Sequence, residues 1–179
     1  MPSAFEILNL EPSLDLDEDN LRQVFQSAST THHPDQGGSA EQFEQINRAY
    51  QSLKSRPQRI IAILEHFDVS FDARRDLSPN VSNLFQEIGD LIQNAKKLLK
   101  QKDETSNALS KALLEPKVLE LQQELSTQIA QLNQCENTLW AAICNLEELE
   151  VEALQQTARS LSFIQKWRAQ LQECFARCW

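Results

Sequence analysis

The chain has 179 residues and a formal net charge of −9, a balance that argues against nucleic acid or an anionic membrane surface as its main partner. Three glycines in this length leave few hairpins or strands, and the abundance of Leu, Gln, Glu and Ala favours helix almost throughout. No run of about 18 apolar residues occurs, so no bilayer span is expected.

The opening Met1-Pro2-Ser3-Ala4-Phe5-Glu6 carries neither a basic leader with an apolar core nor an Arg-rich presequence, so a cytoplasmic location is expected. Phe5 to Leu8 reads as a short first helix. Leu16-Asp17-Glu18-Asp19-Asn20-Leu21 then has the form of a helix start, with Asp17 as cap, acidic residues at the positive end of the dipole and Leu16 placed to staple onto Leu21. Leu21, Val24, Phe25 and Ala28 mark its apolar face. This helix must stop before His33, because Pro34 disfavours helical geometry in the residue ahead of it. After the turn-like Gln36-Gly37-Gly38, Ser39-Ala40-Glu41-Gln42 has the form of a capping box, and Phe43, Ile46, Ala49, Tyr50 and Leu53 continue as the stripe of a second helix. Two antiparallel helices are thus expected to present His33-Pro34-Asp35 at their tip.

Pro57 suits the first turn of a further helix through Ile60, Ile61, Ile63 and Leu64, and Asp68 to Leu77 reads as a connector. Ser78-Pro79 gives a cap followed by proline, a restart signal for a helix carrying Leu84, Ile88, Leu91, Ala95 and Leu98. A second long helix is expected from about Thr105 to Leu132, restarted or kinked at Pro116, and a third from about Glu136 onward with Leu161, Ile164, Trp167, Leu171 and Phe175 on one face. None can bury its stripe alone, so an antiparallel three-helix bundle follows. The expectation is an all-α chain with a J-type helical hairpin over residues 1–72 and a bundle over residues 78–179, in an L-shaped two-lobed arrangement.

His-Pro-Asp between two helices is the signature of the J domain, and the chain resembles the HscB-type J-domain co-chaperones of iron-sulfur cluster assembly. Ile46 to Leu53 with Arg59 and Ile63 to Val69, Leu84 to Ile88, and Arg159 to Lys166 carry that resemblance beyond the loop. It implies a chain that is not an enzyme and holds no cofactor. It implies His33, Pro34 and Asp35, with Arg22 on the preceding helix, as contacts for a seventy-kilodalton heat-shock chaperone of HscA/DnaK type. It also implies Leu84, Phe85, Ile88 and Phe163 as contacts for an iron-sulfur scaffold protein of IscU type. Two alternatives stay open: a J-domain co-chaperone with a different client, and a helical adaptor with weakened chaperone binding. In the family the helix before the motif is rich in Lys and Arg. Here Arg22 is its only cation, so either the partner is less acidic or Arg48, Lys54 and Arg59 steer the encounter.

The remaining chemistry-bearing residues read as structural. Cys135, Cys144, Cys174 and Cys178 lack the close pairs of zinc sites and are expected to act as small core hydrophobes, with no metal bound. Adjacent histidines such as His32 and His33 point in different directions, which disfavours a metal role. Trp140, Trp167 and Trp179 are expected to pack the bundle. Phe163 lies to one side of its helix's stripe, and Phe85 to one side of the Leu84-Ile88 line, positions that suit an exposed contact or the edge of a core.

Overall fold

A computed structural model describes residues 2–144 and 150–179, and among these every regular element is helical. The elements are α1 (Ala4–Ile7), α2 (Glu18–Thr31), a 3₁₀ turn (Pro34–Gln36), α3 (Ala40–Lys54), α4 (Arg56–His66), α5 (Pro79–Glu104), α6 (Ala108–Cys144) and α7 (Val151–Ala176). The chain divides into two compact units, residues 1–76 with 140–159, and residues 77–139 with 160–179. Both α6 and α7 therefore contribute residues to each.

In the first unit, local chemistry starts the helices where expected. Ser3 and Glu6 form a reciprocal capping box on α1, and the Asp17 side chain accepts from the Asp19 N–H on α2. Ser39 accepts from the Gln42 N–H at 3.5 Å, so one half of the expected box on α3 is made. Helix α3 packs against α1, α2 and α4. Its buried Ile46, Ala49 and Leu53 join Phe5, Leu21, Ile60, Ile63 and Leu64 in one core. Phe25 and Tyr50 stack with ring centroids 4.1 Å apart, which ties the middle of α2 to the second half of α3.

Arg59 is a charged member of this core. At 4% exposure it donates from Nε to the Leu53 carbonyl at 2.7 Å and from Nη1 to the Leu14 carbonyl at 2.8 Å. Its guanidinium lies 5.6 Å from the Trp140 ring centroid, and Arg56 lies 5.2 Å from the same ring. Trp140 thus packs in the first unit against two cations, where the sequence suggested bundle packing. Arg75 donates to Gln155 Oε1, and Gln155 donates to the Ser70 carbonyl, so residues 70–75 are held by the start of α7. Arg159 adds a hydrogen bond to the Ala73 carbonyl.

The second unit is the bundle of α5, α6 and α7. Its core is Val81, Ile88, Leu91, Ile92, Ala95 and Leu99 from α5, Leu125 and Leu132 from α6, and Leu161, Ile164 and Leu171 from α7. Gln128 donates to Glu87, Arg168 pairs with Glu136, and Lys102 donates to the Cys178 carbonyl at 2.8 Å. With Leu114 and Glu115 sharing a groove with Lys102 and Cys178 at the other end, α6 runs antiparallel to α5 and α7. The Ser78 side chain makes no cap on α5; its backbone N–H instead donates to Ser160 Oγ at 2.9 Å.

The expected break between the second and third helices, near Leu132–Glu136, does not occur. Helix α6 runs on to Cys144, because Leu125, Leu132 and Glu136 keep one buried face and no glycine or proline interrupts them. Helix α7 begins at Val151. Pro116 lies within α6 without ending it. Of the cysteines, Cys174 and Cys178 are core residues as expected, but Cys135 is half-buried and Cys144 is exposed. Burial raises all four thiols above the ordinary cysteine range. Trp179, 83% exposed, is likewise outside any core.

Candidate functional site: the His-Pro-Asp loop and an aromatic patch

Between α2 and α3, three residues make a tight 3₁₀ turn whose cap is His33. Its Nδ1 accepts the Asp35 N–H at 3.2 Å, so the neutral ring carries its proton on Nε2, and that N–H is not used by the turn. The ring meets Phe43 edge-on at 5.1 Å, which fixes its orientation from α3. Pro34 presets the turn, and the Asp35 carboxylate is 88% exposed, its Oδ2 3.6 Å from His33 Nδ1. His33 thus caps the turn with one ring nitrogen and leaves the other unused by it, which the two distinct nitrogens of the ring allow.

The two glycines close the turn for different reasons. Gly37 has φ +85°, a left-handed conformation that disfavours any side chain. At Gly38 a Cβ would sit 2.3 Å from the His32 carbonyl carbon, so the backbone passes too close for any larger residue. Arg22 is 61% exposed and lies 3.5 Å from Asp19. Of the other expected steering cations, Arg48 pairs with Glu44 on α3, and Lys54 sits 5.8 Å from the Tyr50 ring. Arg59 cannot steer a partner: it is buried and committed to two carbonyls.

In the bundle, the four residues proposed for a client separate into three environments. Phe85, 54% exposed, and Phe163, half-buried, are brought together with ring centroids 6.4 Å apart. Trp167 completes the cluster, 5.7 Å from each of them. Leu84 is half-buried and lines a separate shallow groove with Asn80, Asn83, Gln131 and Cys135. Ile88 is fully buried, a correction to its expected contact role: one turn beyond Leu84, it points into the bundle. Trp167 is 6% exposed and packs the bundle as expected, and its position four residues after Phe163 puts the two on one helix face. On α5, Glu87 accepts from Gln128 at 2.6 Å and Asp90 accepts from Gln86.

Among the described residues no group of three or more His, Cys, Asp or Glu is placed to hold a metal ion, and no helix is long and apolar enough to cross a membrane. An exposed, rigid His-Pro-Asp tip on an antiparallel hairpin defines a J domain, and residues 3–61 match the DnaJ domain family model. The chain is similar to the co-chaperone protein HscB homolog of Colwellia psychrerythraea, 32% identical over 162 residues, which cover 82% of this chain and 87% of that protein. It is also similar to the HscB homologs of Neisseria meningitidis serogroup A, 31% identical over 49% of this chain and 58% of the relative, and serogroup C, 33% identical over 41% and 49%. Against these Neisseria proteins the match spans about half of their length. The chain belongs to the family of HscB co-chaperone homologs.

Proposed function

We propose that this chain stimulates the ATPase of a seventy-kilodalton heat-shock chaperone of HscA/DnaK type and presents to it an iron-sulfur scaffold protein of IscU type. The observation that carries the first half is the turn itself, with His33 held by the Asp35 N–H and the Phe43 ring, its Nε2 not engaged by the turn and the Asp35 carboxylate exposed. The hydrolysis takes place in the partner. This chain shifts the partner's conformational population by binding one state better than the other. Residues 1–72 supply the chaperone contacts and residues 78–179 the client contacts.

The second half is supported by the Phe85-Phe163-Trp167 cluster, an aromatic group with one ring more than half exposed. Aromatic anchors of this kind dominate the energetics of many protein interfaces. Two measurements test the two halves. Single-turnover ATP hydrolysis by the chaperone is expected to accelerate with the wild-type chain and not with His33→Gln. Scaffold affinity is expected to fall by about tenfold or more in Phe85→Ala with Phe163→Ala, equivalent to losing about 1.4 kcal/mol or more at the contact. Unchanged affinity in the folded double variant would move the client elsewhere.

A further inference from the structure

Of the three glycines, two are needed by the chain itself: Gly37 for its left-handed backbone and Gly38 for the close approach of His32. Gly89 has no such reason. It sits in the interior of α5, which runs unbroken for 26 residues, and its φ is not positive. A Cβ added there would meet no atom within 4 Å, so nothing inside the chain excludes a side chain. Glycine is also the worst helix former after proline, because it surrenders the most backbone freedom and leaves the backbone exposed to water. The chain thus carries a destabilising residue at a place where alanine would fit.

Its position supplies a reason. Gly89 follows Phe85 by four residues, so the two share one face of α5, and Ile92 and Lys96 continue that row. A helical side chain leans toward the N-terminus and covers the turn before its own Cα. With none at position 89, the turn between Phe85 and Gly89 is bare backbone beside the Phe85 ring, which is 54% exposed and 5.7 Å from Trp167. The row carries no charge until Lys96, and the acidic Glu87 and Asp90 nearby on α5 are engaged by Gln128 and Gln86. An exposed ring next to an uncharged hollow one side chain deep is shaped to take a knob from outside.

We propose that Gly89 is a specificity-determining residue: the hollow it leaves beside Phe85 receives one large uncharged side chain, leucine, methionine or aromatic, from the client protein. The inference rests on the client reading above and names the chemistry of the partner residue that this reading leaves open. An apolar side chain complements a row without charge, whereas a charged one would lose hydration there with no counter-charge to meet. Interface cores pack as tightly as protein interiors, so a side chain added at position 89 would claim the volume the client needs.

The test sets stability against affinity, which a purely structural role would move together. Gly89→Ala is expected to raise Tm by about 2–4 °C in thermal unfolding, since alanine is the better helix former. In Gly89→Leu, affinity for an IscU-type scaffold protein, titrated by calorimetry, is expected to fall about fivefold or more while the fold and Tm are kept. Gly89→Glu is expected to weaken binding as well. A smaller loss or a gain in Gly89→Leu would overturn the inference, because the hollow would then be empty in the complex. Tighter binding by Gly89→Glu would overturn it by placing a cation there, and a lowered Tm in Gly89→Ala by showing that the helix itself needs the glycine. Should the wild-type chain not bind the scaffold, or bind it as tightly after Phe85→Ala with Phe163→Ala, the client reading itself fails. That outcome is distinct from a Gly89→Leu variant that binds normally while the double variant does not.

Discussion

Replacing Arg59 by methionine keeps most of the aliphatic stem and removes a buried guanidinium, and competing magnitudes decide the sign of the effect. Two charge-assisted hydrogen bonds are lost, to Leu53 and Leu14, each worth about 1.5–3 kcal/mol. Methionine also leaves both buried carbonyls without a donor. Against this stands the recovered cost of burying the cation, several kcal/mol in general. That cost is visible in the pKa, which burial pushes below the usual arginine value, with Glu18 opposing and Arg56 reinforcing. The carbonyls belong to the last turn of α3 and to the segment joining α1 to α2, where backbone relaxation would also disturb the buried Leu14 and Leu53. The net expectation is a loss of about 2–3 kcal/mol, which for a chain of this size lowers Tm by about 5–10 °C. The Trp140 ring contributes a smaller share, about 0.5–2 kcal/mol for a cation over an aromatic face. Thermal and urea unfolding followed by circular dichroism measures the first figure. A double-mutant cycle with Trp140→Leu isolates the second, expected at about 1 kcal/mol. An Arg59→Met variant as stable as wild type, or more so, would refute the reasoning by showing that the buried charge is a net burden.

Other consequences are equally direct. Gly38→Ala is expected to weaken ATPase stimulation by about tenfold or more with little change in Tm, because the loop backbone must move away from His32; Gly37→Ala, strained but uncrowded, should lose less. Equal losses would mean that conformation and not close approach governs the turn. Pro116→Ala restores an N–H to the Ala112 carbonyl inside α6 and is expected to raise stability by about 1–3 kcal/mol, read as a higher Tm; a lower Tm would show that the ring is packed to advantage. In the native chain at pH 8, iodoacetamide is expected to label Cys144 well before Cys174 or Cys178, as peptide mass spectrometry would report. The raised Cys144 thiol leaves less thiolate at that pH than a free cysteine, so the pH of half-maximal labelling should lie above that of a cysteine peptide measured alongside. A midpoint at or below the peptide's would contradict the shift.

Much of the hairpin was legible in the amino-acid pattern because its determinants are local. Asp17, Ser39 and Pro57 start helices by satisfying or dispensing with the first free N–H groups, and Pro34 ends one by steric exclusion. The apolar spacing that follows each start places Leu21, Ile46 and Leu53 in a core. The boundary at Leu132–Glu136 was misread for the converse reason. Polar residues there look like a loop, yet helix continues wherever nothing forbids it and a buried face persists.

The order of the helices, the starts of α2, α3, α4 and α5 and the exposed His-Pro-Asp tip were thus settled by residue type and spacing alone, since each depends on neighbours within one or two turns. Tertiary structure decided the rest. Arg59 became an interior clamp and not a steering charge because Leu14, 45 residues away, supplies a carbonyl to its guanidinium. Ile88 went to the core while Phe85 met Phe163 and Trp167 because packing of α5 against α7 chooses which side of a broad apolar stripe is covered. Periodicity reports how much of a helix is apolar; only the neighbouring helix determines which part of that surface remains open to a partner.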